Sequence, residues 1–295
     1  MRIIFLGGGH CKFAAAFRKL LNKNADLLRA NGVFAPRREE FSPLVREAYK
    51  NGDTGSTSCA SILQKIGVSP DDKVVIFLNE HFWASTSSIL ERGKFYADAN
   101  KKTSFICELF GDFDLDLIIA IESLPTFFAR KYANDLELDL LATDKEIIAG
   151  FSWVTLFTHL VENGFCDRYF VVQSEQAPAK MAIILDALVA TPNKKQIVGA
   201  YDYLRKELTP DGEYTLDKLL AQKNTTQLDN RLLCDLLEVH RKEEDIAERL
   251  DDIGIGQDLF LTLNANYALE LERFDALSRE NSRQPPSIVF FGTSS

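Results

Sequence analysis

Three consecutive glycines, Gly7 to Gly9, stand between a short apolar run and a helical pattern near the start of the chain. The run Arg2 to Leu6 is rich in β-forming residues, which predicts a strand. Asn31-Gly32 then ends the helical pattern in the manner of a glycine C-cap. The apolar residues between the glycines and this cap fall at helical spacing, at Phe13, Phe17, Leu20, Leu21, Leu27 and Leu28. The chain is therefore predicted to open with a strand, a glycine turn and a helix packed on a sheet.

The glycine turn is suited to an anionic ligand. Its backbone N–H groups and the positive end of the helix dipole converge at one spot, which favours phosphate or sulfate. Glycines also allow the backbone to approach a ligand closely. The segment lacks the Gly-Lys-Ser/Thr of the Walker motif, and Lys12 occupies the last glycine position of GxGxxG. The alternative is that the glycines only make a tight turn.

Three further apolar runs predict buried strands at Val74 to Leu78, Leu115 to Ile121 and Tyr169 to Val172. Helical patterns separate these runs, which is typical of a parallel sheet covered by helices on both faces. From Asn193 onward the pattern is almost wholly helical, although Ile288 to Phe291 is compatible with a last strand. The predicted fold class is α/β, as one domain with an α/β core over residues 1–190 and a mainly helical C-terminal region over 191–295.

Composition restricts the partners that we expect. A net charge of -9 repels nucleic acid and anionic membranes, so neither is a predicted partner. No apolar run approaches the roughly 18 residues that span a bilayer, and no secretory signal follows Met1. The five cysteines are widely spaced without a CxxC pair, and no HExxH pair is present. We therefore expect reduced thiols, no metal site and a cytoplasmic location.

The segment Phe5 to Pro36, FLGGGHCKFAAAFRKLLNKNADLLRANGVFAP, resembles the opening of bacterial sulfotransferase-like proteins. That family has a strand, then Gly-x-His-Lys-Thr-Gly/Ala-Thr-Thr, then a helix that ends in Asn…Leu…Gly-Val and a proline. Looser likeness continues in VIFLNEHF over Val75 to Phe82, in Ile119 to Leu136 and in Trp153 to Glu175. The residues that keep the opening frame are Asn24, Leu28, Gly32, Val33 and Pro36.

The resemblance implies a P-loop-like sheet that uses 3′-phosphoadenosine 5′-phosphosulfate, without a metal, to transfer a sulfuryl group to a hydroxyl of a carbohydrate or small-molecule acceptor. Arg130 would meet the 3′-phosphate of this donor, and Lys12 would hold charge on the transferring group. The residues expected to cradle the phosphosulfate are Gly8, Gly9, His10, Cys11, Lys12 and Phe13.

The acceptor hydroxyl also needs a base, and the resemblance points to Glu80 or His81. Both follow the second predicted core strand, where an open α/β sheet places its ligand crevice. The alternative is that Glu80 is a solvated strand-end residue and His81 a loop residue.

The chain also departs from the family pattern. In register, the family lysine falls on Cys11, and the Thr-Thr pair, whose hydroxyls would donate to the phosphosulfate, falls on Ala14 and Ala15. The 3′-phosphate arginine and serine fall on Glu122 and Arg130. A carboxylate that faces a dianionic phosphate is repulsive, and Glu122 would more naturally pair with Arg130. These departures favour a second function, a non-catalytic protein that keeps the fold for binding or assembly and has lost donor binding.

Three other features lead to separate expectations. The opening MRIIFLG also resembles Rossmann-like formyltransferases, whose downstream histidine signature is absent. Cys11 at a helix N-terminus is expected to have a lowered pKa, because the helix dipole stabilises a thiolate. The charge run Arg241 to Glu244 is predicted to be an exposed helix face. Nothing in the sequence specifies an oligomeric state.

Overall fold

The computed structural model describes residues 1–85, 88–91, 94–132, 145–190, 197–222, 228–243, 246, 250, 255–281 and 286–292. The described strands are β1 Arg2–Gly8, β2 Val33–Phe34, β3 Val74–Leu78, β4 Leu90–Glu91, β5 Lys94–Phe95, β6 Asp114–Ile121, β7 Arg168–Gln173 and β8 Ser287–Phe291. Six of them form one parallel sheet in the order β2-β3-β1-β6-β7-β8, and β4 and β5 form a separate antiparallel hairpin.

The described helices are α1 Lys12–Lys23, α2 Ala25–Ala30, α3 Arg38–Asn51, α4 Ser56–Lys65, α5 Ala99–Leu109, α6 Leu124–Tyr132, α7 Lys145–Ala149, α8 Trp153–Glu162, α9 Ala177–Val189, α10 Asp202–Glu207, α11 Pro210–Gln222, α12 Asn230–His240 and α13 Gln257–Glu280. Helices and parallel strands alternate through the first two thirds of the chain. The predicted α/β class, with a parallel sheet flanked by helices, is confirmed.

Helices cover both faces of the sheet. On one face α1 and α9 pack against the sheet through residues such as Phe13, Phe17 and Ile184. On the other face lie α3, α4, α5, α6, α8 and α13. The chain thus leaves β1 and β7 toward one face but leaves β3 and β6 toward the other. Neighbouring connections that diverge in this way open a crevice at the carboxyl edge of a parallel sheet, where such proteins bind ligands.

The predicted core strands correspond to β1, β3, β6 and β7, and the apolar run Ile288 to Phe291 lies within β8. The two-residue strand β2 and the β4–β5 hairpin had no prediction. The first helical pattern is divided into α1 and α2 at Asn24, whose buried amide donates to the carbonyls of Leu20 (2.8 Å) and Val198 (2.9 Å). Val198 donates back to Asn24 Oδ1 at 2.8 Å. This tertiary contact joins the first helix pair to the C-terminal region.

The C-terminal region also completes the core. β8 pairs with β7 in parallel, from Arg168 opposite Ser287 to Val172 opposite Phe291. Helix α13 packs against the sheet through Leu263 and Phe274, while α10, α11 and α12 form a smaller apolar cluster with α9. Residues beyond 190 therefore supply one edge strand of the sheet as well as helices.

Candidate functional site

Gly7 and Gly8, at the end of β1, lie against the indole ring of Trp83. A Cβ atom at Gly8 would lie 1.9 Å from Trp83 Cε3, and one at Gly7 would lie 2.8 Å from Trp83 Nε1. The indole is only 1% exposed. Its Nε1 donates to Thr103 Oγ1 at 3.0 Å, and the Trp83 backbone N–H donates to the Gly7 carbonyl at 2.9 Å. These two glycines therefore allow the close approach of an aromatic side chain.

Gly9 makes the turn from β1 toward α1. Its φ of 75° lies in the left-handed region that favours glycine. A Cβ atom here would lie 2.0 Å from the carbonyl oxygen of Ala120 in β6. Gly9 is thus required both by its dihedral angle and by the neighbouring strand.

Two backbone amides of the first loop are hydrogen-bonded within the protein. The His10 N–H donates to the Tyr96 hydroxyl at 3.3 Å, and the Cys11 N–H donates to the Gly9 carbonyl at 2.7 Å. Tyr96 is buried and holds a φ of 50°, which is uncommon for a non-glycine residue. In the predicted anion cradle of Gly8 to Phe13, Gly8 therefore lies against the Trp83 indole, Gly9 lies against the Ala120 carbonyl, and two amides already have partners.

The structure brings His10, His81 and Glu80 together. The buried His10 ring lies 4.5 Å from the His81 ring between centroids, and its Nδ1 is 2.7 Å from the Tyr96 hydroxyl. Arg18 Nη2 of α1 donates to Glu80 Oε2 at 2.5 Å, and His81 Nε2 lies 3.9 Å from Glu80 Oε1. The predicted base residues thus form one cluster with the first loop.

Glu80 is held in its ionised form. Burial by itself would raise the pKa of its carboxyl, but the hydrogen bond from Arg18, a backbone amide and the charges of Arg18 and His81 outweigh burial, so the pKa lies below the ordinary value. A carboxylate with a lowered pKa and an arginine on one oxygen is a weak proton acceptor. His81, which is partly exposed, is the better placed of the two predicted bases.

The expectation of a lowered pKa for Cys11 is wrong. Burial raises the pKa of the Cys11 thiol. The Ser174 hydroxyl, Arg130 and the amides of Phe13 and Ala14 favour the thiolate but offset only part of this effect. Desolvation therefore outweighs the helix N-terminus at this position.

A cavity of about 410 Å³ opens at the carboxyl ends of β1, β6 and β7. Two residues predicted from separate segments, Lys12 and Arg130, both line it. We call this space the polar cavity, because charged side chains supply much of its wall. The basic ones are Lys12, Arg130, Arg241 and Lys242, and the acidic ones are Glu122, Glu175, Glu207, Glu238 and Glu243.

The cations of the polar cavity have protein partners. Arg130 forms an ion pair with Glu122, as predicted from the sequence, and both side chains are largely buried. Lys12 Nζ lies 3.5 Å from Glu207 Oε2, with 41% of its side chain exposed. Because five carboxylates face four basic groups, the cavity offers no surplus positive charge to a polyanion.

Arg241 and Glu175 are cavity residues whose positions depend on tertiary contacts. Helix α12 ends at His240, so Arg241 lies outside it with an extended backbone and donates to the Glu175 carbonyl. The prediction of an exposed helix face is therefore wrong for Arg241, while Lys242 and Glu243 are exposed but lie outside the helix, and Glu244 lies outside the described residues.

The Glu175 carboxylate braces two elements. It accepts the Ser123 N–H at 2.7 Å, just before α6, and the Tyr267 hydroxyl of α13 at 2.9 Å. Burial raises its pKa, although these two donors partly counteract it. The geometry indicates a structural role for this side chain at the cavity wall.

The fold and the site define an α/β protein with a parallel sheet and a charged cavity at its carboxyl edge. Comparison with known proteins finds no matching family model, no matching curated protein and no matching solved structure. Within the described ranges no helix has the length and apolar character to cross a membrane. The same residues contain no group of three His, Cys, Asp or Glu side chains arranged to hold a metal ion.

Proposed function

We propose that this chain is a non-catalytic, ligand-binding protein with a sulfotransferase-like, P-loop-like fold that has lost the binding of 3′-phosphoadenosine 5′-phosphosulfate. One observation carries the proposal. The Trp83 indole lies over Gly7 and Gly8, on the glycine backbone that a phosphosulfate would need to approach. A buried indole that donates to Thr103 is part of the core and does not leave for a ligand without a large cost.

The charges around the polar cavity support the same proposal. The resemblance places a 3′-phosphate near Arg130, but Glu122 already pairs with this arginine. Inserting a dianion beside a largely buried carboxylate is repulsive by several kcal/mol at intermediate dielectric. Ala14 and Ala15 supply no hydroxyls to a phosphosulfate. The residues present are thus a poor match for the donor.

An active sulfotransferase is the second candidate, because Lys12 and Arg130 line one cavity and His81 lies beside His10. In that case a carbohydrate or small-molecule hydroxyl would be the acceptor. The cytoplasmic location and the absence of a nucleic-acid partner stay predictions from the sequence under both candidates.

Calorimetric titration with the donor product, adenosine 3′,5′-bisphosphate, separates the two candidates. We expect no binding at millimolar ligand. The matched variants are Lys12→Ala and Lys218→Ala, which remove the same charge inside and outside the polar cavity. Submillimolar binding by the wild-type protein that is lost in Lys12→Ala but kept in Lys218→Ala and in Lys19→Ala, a lysine outside the polar cavity, would establish donor binding and refute the proposal.

A further inference from the structure

A second cavity, of about 490 Å³, runs along α1 on the face of the sheet that α1 and α9 cover. We call it the α1 groove. Lys12, Tyr203 and Glu207 line both this groove and the polar cavity, so the two spaces adjoin. Its volume lies within the usual range for small-molecule sites, about 300 to 1,000 Å³.

The α1 groove carries a surplus of positive charge, unlike the polar cavity. Lys12, Lys19 and Lys23 are seven and four residues apart, so they lie along one side of α1, and Lys206 of α10 faces the same groove. Among the described lining residues, two carboxylates, Asp202 and Glu207, oppose these four lysines. On a chain with a net charge of -9, this is a local reversal of sign.

Two of the four lysines are available to a ligand. Lys23 is paired with Asp202 and Lys12 with Glu207. In the part of the chain that the structure describes, no carboxylate lies within 4.0 Å of the Lys19 or Lys206 ammonium group. An added anion would therefore meet these two cations without displacing an existing ion pair.

The floor of the α1 groove is apolar. Ala15, Ala16, Leu20 and Met181 line it, and the small alanine side chains leave its depth open. A ligand that fills the groove must therefore combine a charged group with an apolar body. Apolar surface that is buried on this floor contributes to binding, whereas a bare ion leaves the floor exposed to water.

The lining also indicates the kind of anion. All basic side chains among the described lining residues are lysines. Lysine acts as a compact point charge with rotatable donors and is a common phosphate ligand. A phosphate monoester carries nearly two negative charges above pH 7, which matches the two available lysines, whereas a carboxylate carries only one. We propose that the α1 groove binds a soluble phosphate monoester with a short apolar body. The inference deepens the proposed binding function and rests on it, since it names the ligand class that a non-catalytic protein would hold.

Titration of hexyl phosphate at pH 8 and low salt, followed by ³¹P NMR, tests the proposal. We expect saturable binding near or below about 1 mM, with inorganic phosphate at least about tenfold weaker because it buries no apolar surface. Raising the salt to physiological strength should weaken binding, as expected for exposed charges. No binding of hexyl phosphate at about 10 mM, ten times the expected Kd, would overturn the proposal.

Matched variants locate the site. Lys19→Gln/Lys206→Gln should weaken hexyl phosphate binding about tenfold, and Glu207→Gln should strengthen it about threefold. The control is Lys50→Gln/Lys65→Gln, which makes the same charge change on exposed positions of α3 and α4, across the sheet. Equal weakening in the two double variants would show a general charge effect and would refute the groove.

Two further arms test the apolar floor and the source of the phosphate. Ala16→Leu should weaken hexyl phosphate but leave inorganic phosphate unchanged. Vesicles that contain phosphatidic acid should not retain the protein, because its net charge repels an anionic surface. Vesicle retention that depends on Lys19 and Lys206 would instead show a lipid headgroup site. Adenosine 3′,5′-bisphosphate binding that needs Lys12 alone would refute the proposed function, whereas the hexyl phosphate series decides the groove.

Discussion

Replacing Gly8 with alanine tests whether Trp83 fills the space above the first loop. The added methyl group would meet three indole atoms, Cε3, Cζ3 and Cδ2, at 1.9, 2.5 and 2.6 Å. Gly8 has an ordinary φ, so the substitution brings no left-handed strain, and the loss of unfolded-state entropy would by itself stabilise by about 0.5 kcal/mol. The indole is fully buried and must shift by more than an ångström in a close-packed core. We expect a loss of about 3 kcal/mol from overpacking.

The same substitution should be nearly harmless once the indole is gone. Trp83→Leu removes the ring atoms near Gly8 and should itself cost about 2 to 3 kcal/mol as a cavity. In that background Gly8→Ala should cost less than about 1 kcal/mol, which gives a coupling energy of about 2 kcal/mol or more. For a chain of 295 residues, 3 kcal/mol corresponds to a fall in Tm of roughly 5 °C.

The assay is thermal and urea unfolding followed by far-ultraviolet circular dichroism, since tryptophan fluorescence would change with the Trp83 variant itself. Gly9→Ala is the matched control, because its Cβ would meet the Ala120 carbonyl and its φ is 75°. Its cost should be the same with or without the indole. If Gly8→Ala destabilised both backgrounds equally, Trp83 would not be the reason for the glycine and the argument against an anion cradle would fail.

Two other variants test the energetics of buried charge. Arg130→Ala should lower the free energy of urea unfolding by about 3 to 5 kcal/mol, because the Glu122 side chain is only 5% exposed and would lose its partner. The double variant Glu122→Leu/Arg130→Met removes both charges and should recover most of this loss. Equal losses in the two variants would show that the ion pair is not the source. Burial raises the pKa of Glu270, in α13, above the ordinary 4.5. As the pH rises from 4.5 through the pKa of the folded state, the buried carboxyl must ionise, and the folded wild-type protein loses stability over this range. Glu270→Gln has no such proton to lose, so its Tm relative to the wild type should increase from pH 4.5 to pH 7, and a difference that stays constant would contradict this reasoning.

The sequence predicts the strands of the sheet where both faces of a strand are buried, because such strands are continuous apolar runs. β3 is a continuous apolar run, VVIFL, and such runs are typical of strands that are buried on both faces of a parallel sheet. β2 has only two residues, Val33 and Phe34, and a strand this short shows no recognisable periodicity in the sequence. The break at Asn24 depends on a hydrogen bond to Val198, so no local pattern specifies it.

The site was predictable only in its local parts. Glu122 and Arg130 lie at the end of one strand and in the following helix, so their pairing follows from short-range geometry. The contact between Gly8 and Trp83 joins the end of β1 to a loop that is far away in sequence. The sequence pattern of a glycine run does not show whether a phosphate or an indole lies against it. Lys206 likewise lines the same groove as Lys19 only because tertiary contacts bring α10 near α1, through the pairs Lys23–Asp202 and Lys12–Glu207.

The last strand has a consequence for how the chain is made. β7 receives its outer neighbour, β8, only after α9 to α13 have been synthesised. Until then the outer edge of β7 has unpaired N–H and C=O groups along its apolar run, YFVV. Such an edge is a template for pairing with other chains. Pairing with β8 removes this template, so the edge of β7 stays open to other chains until residues 287–291 have been synthesised.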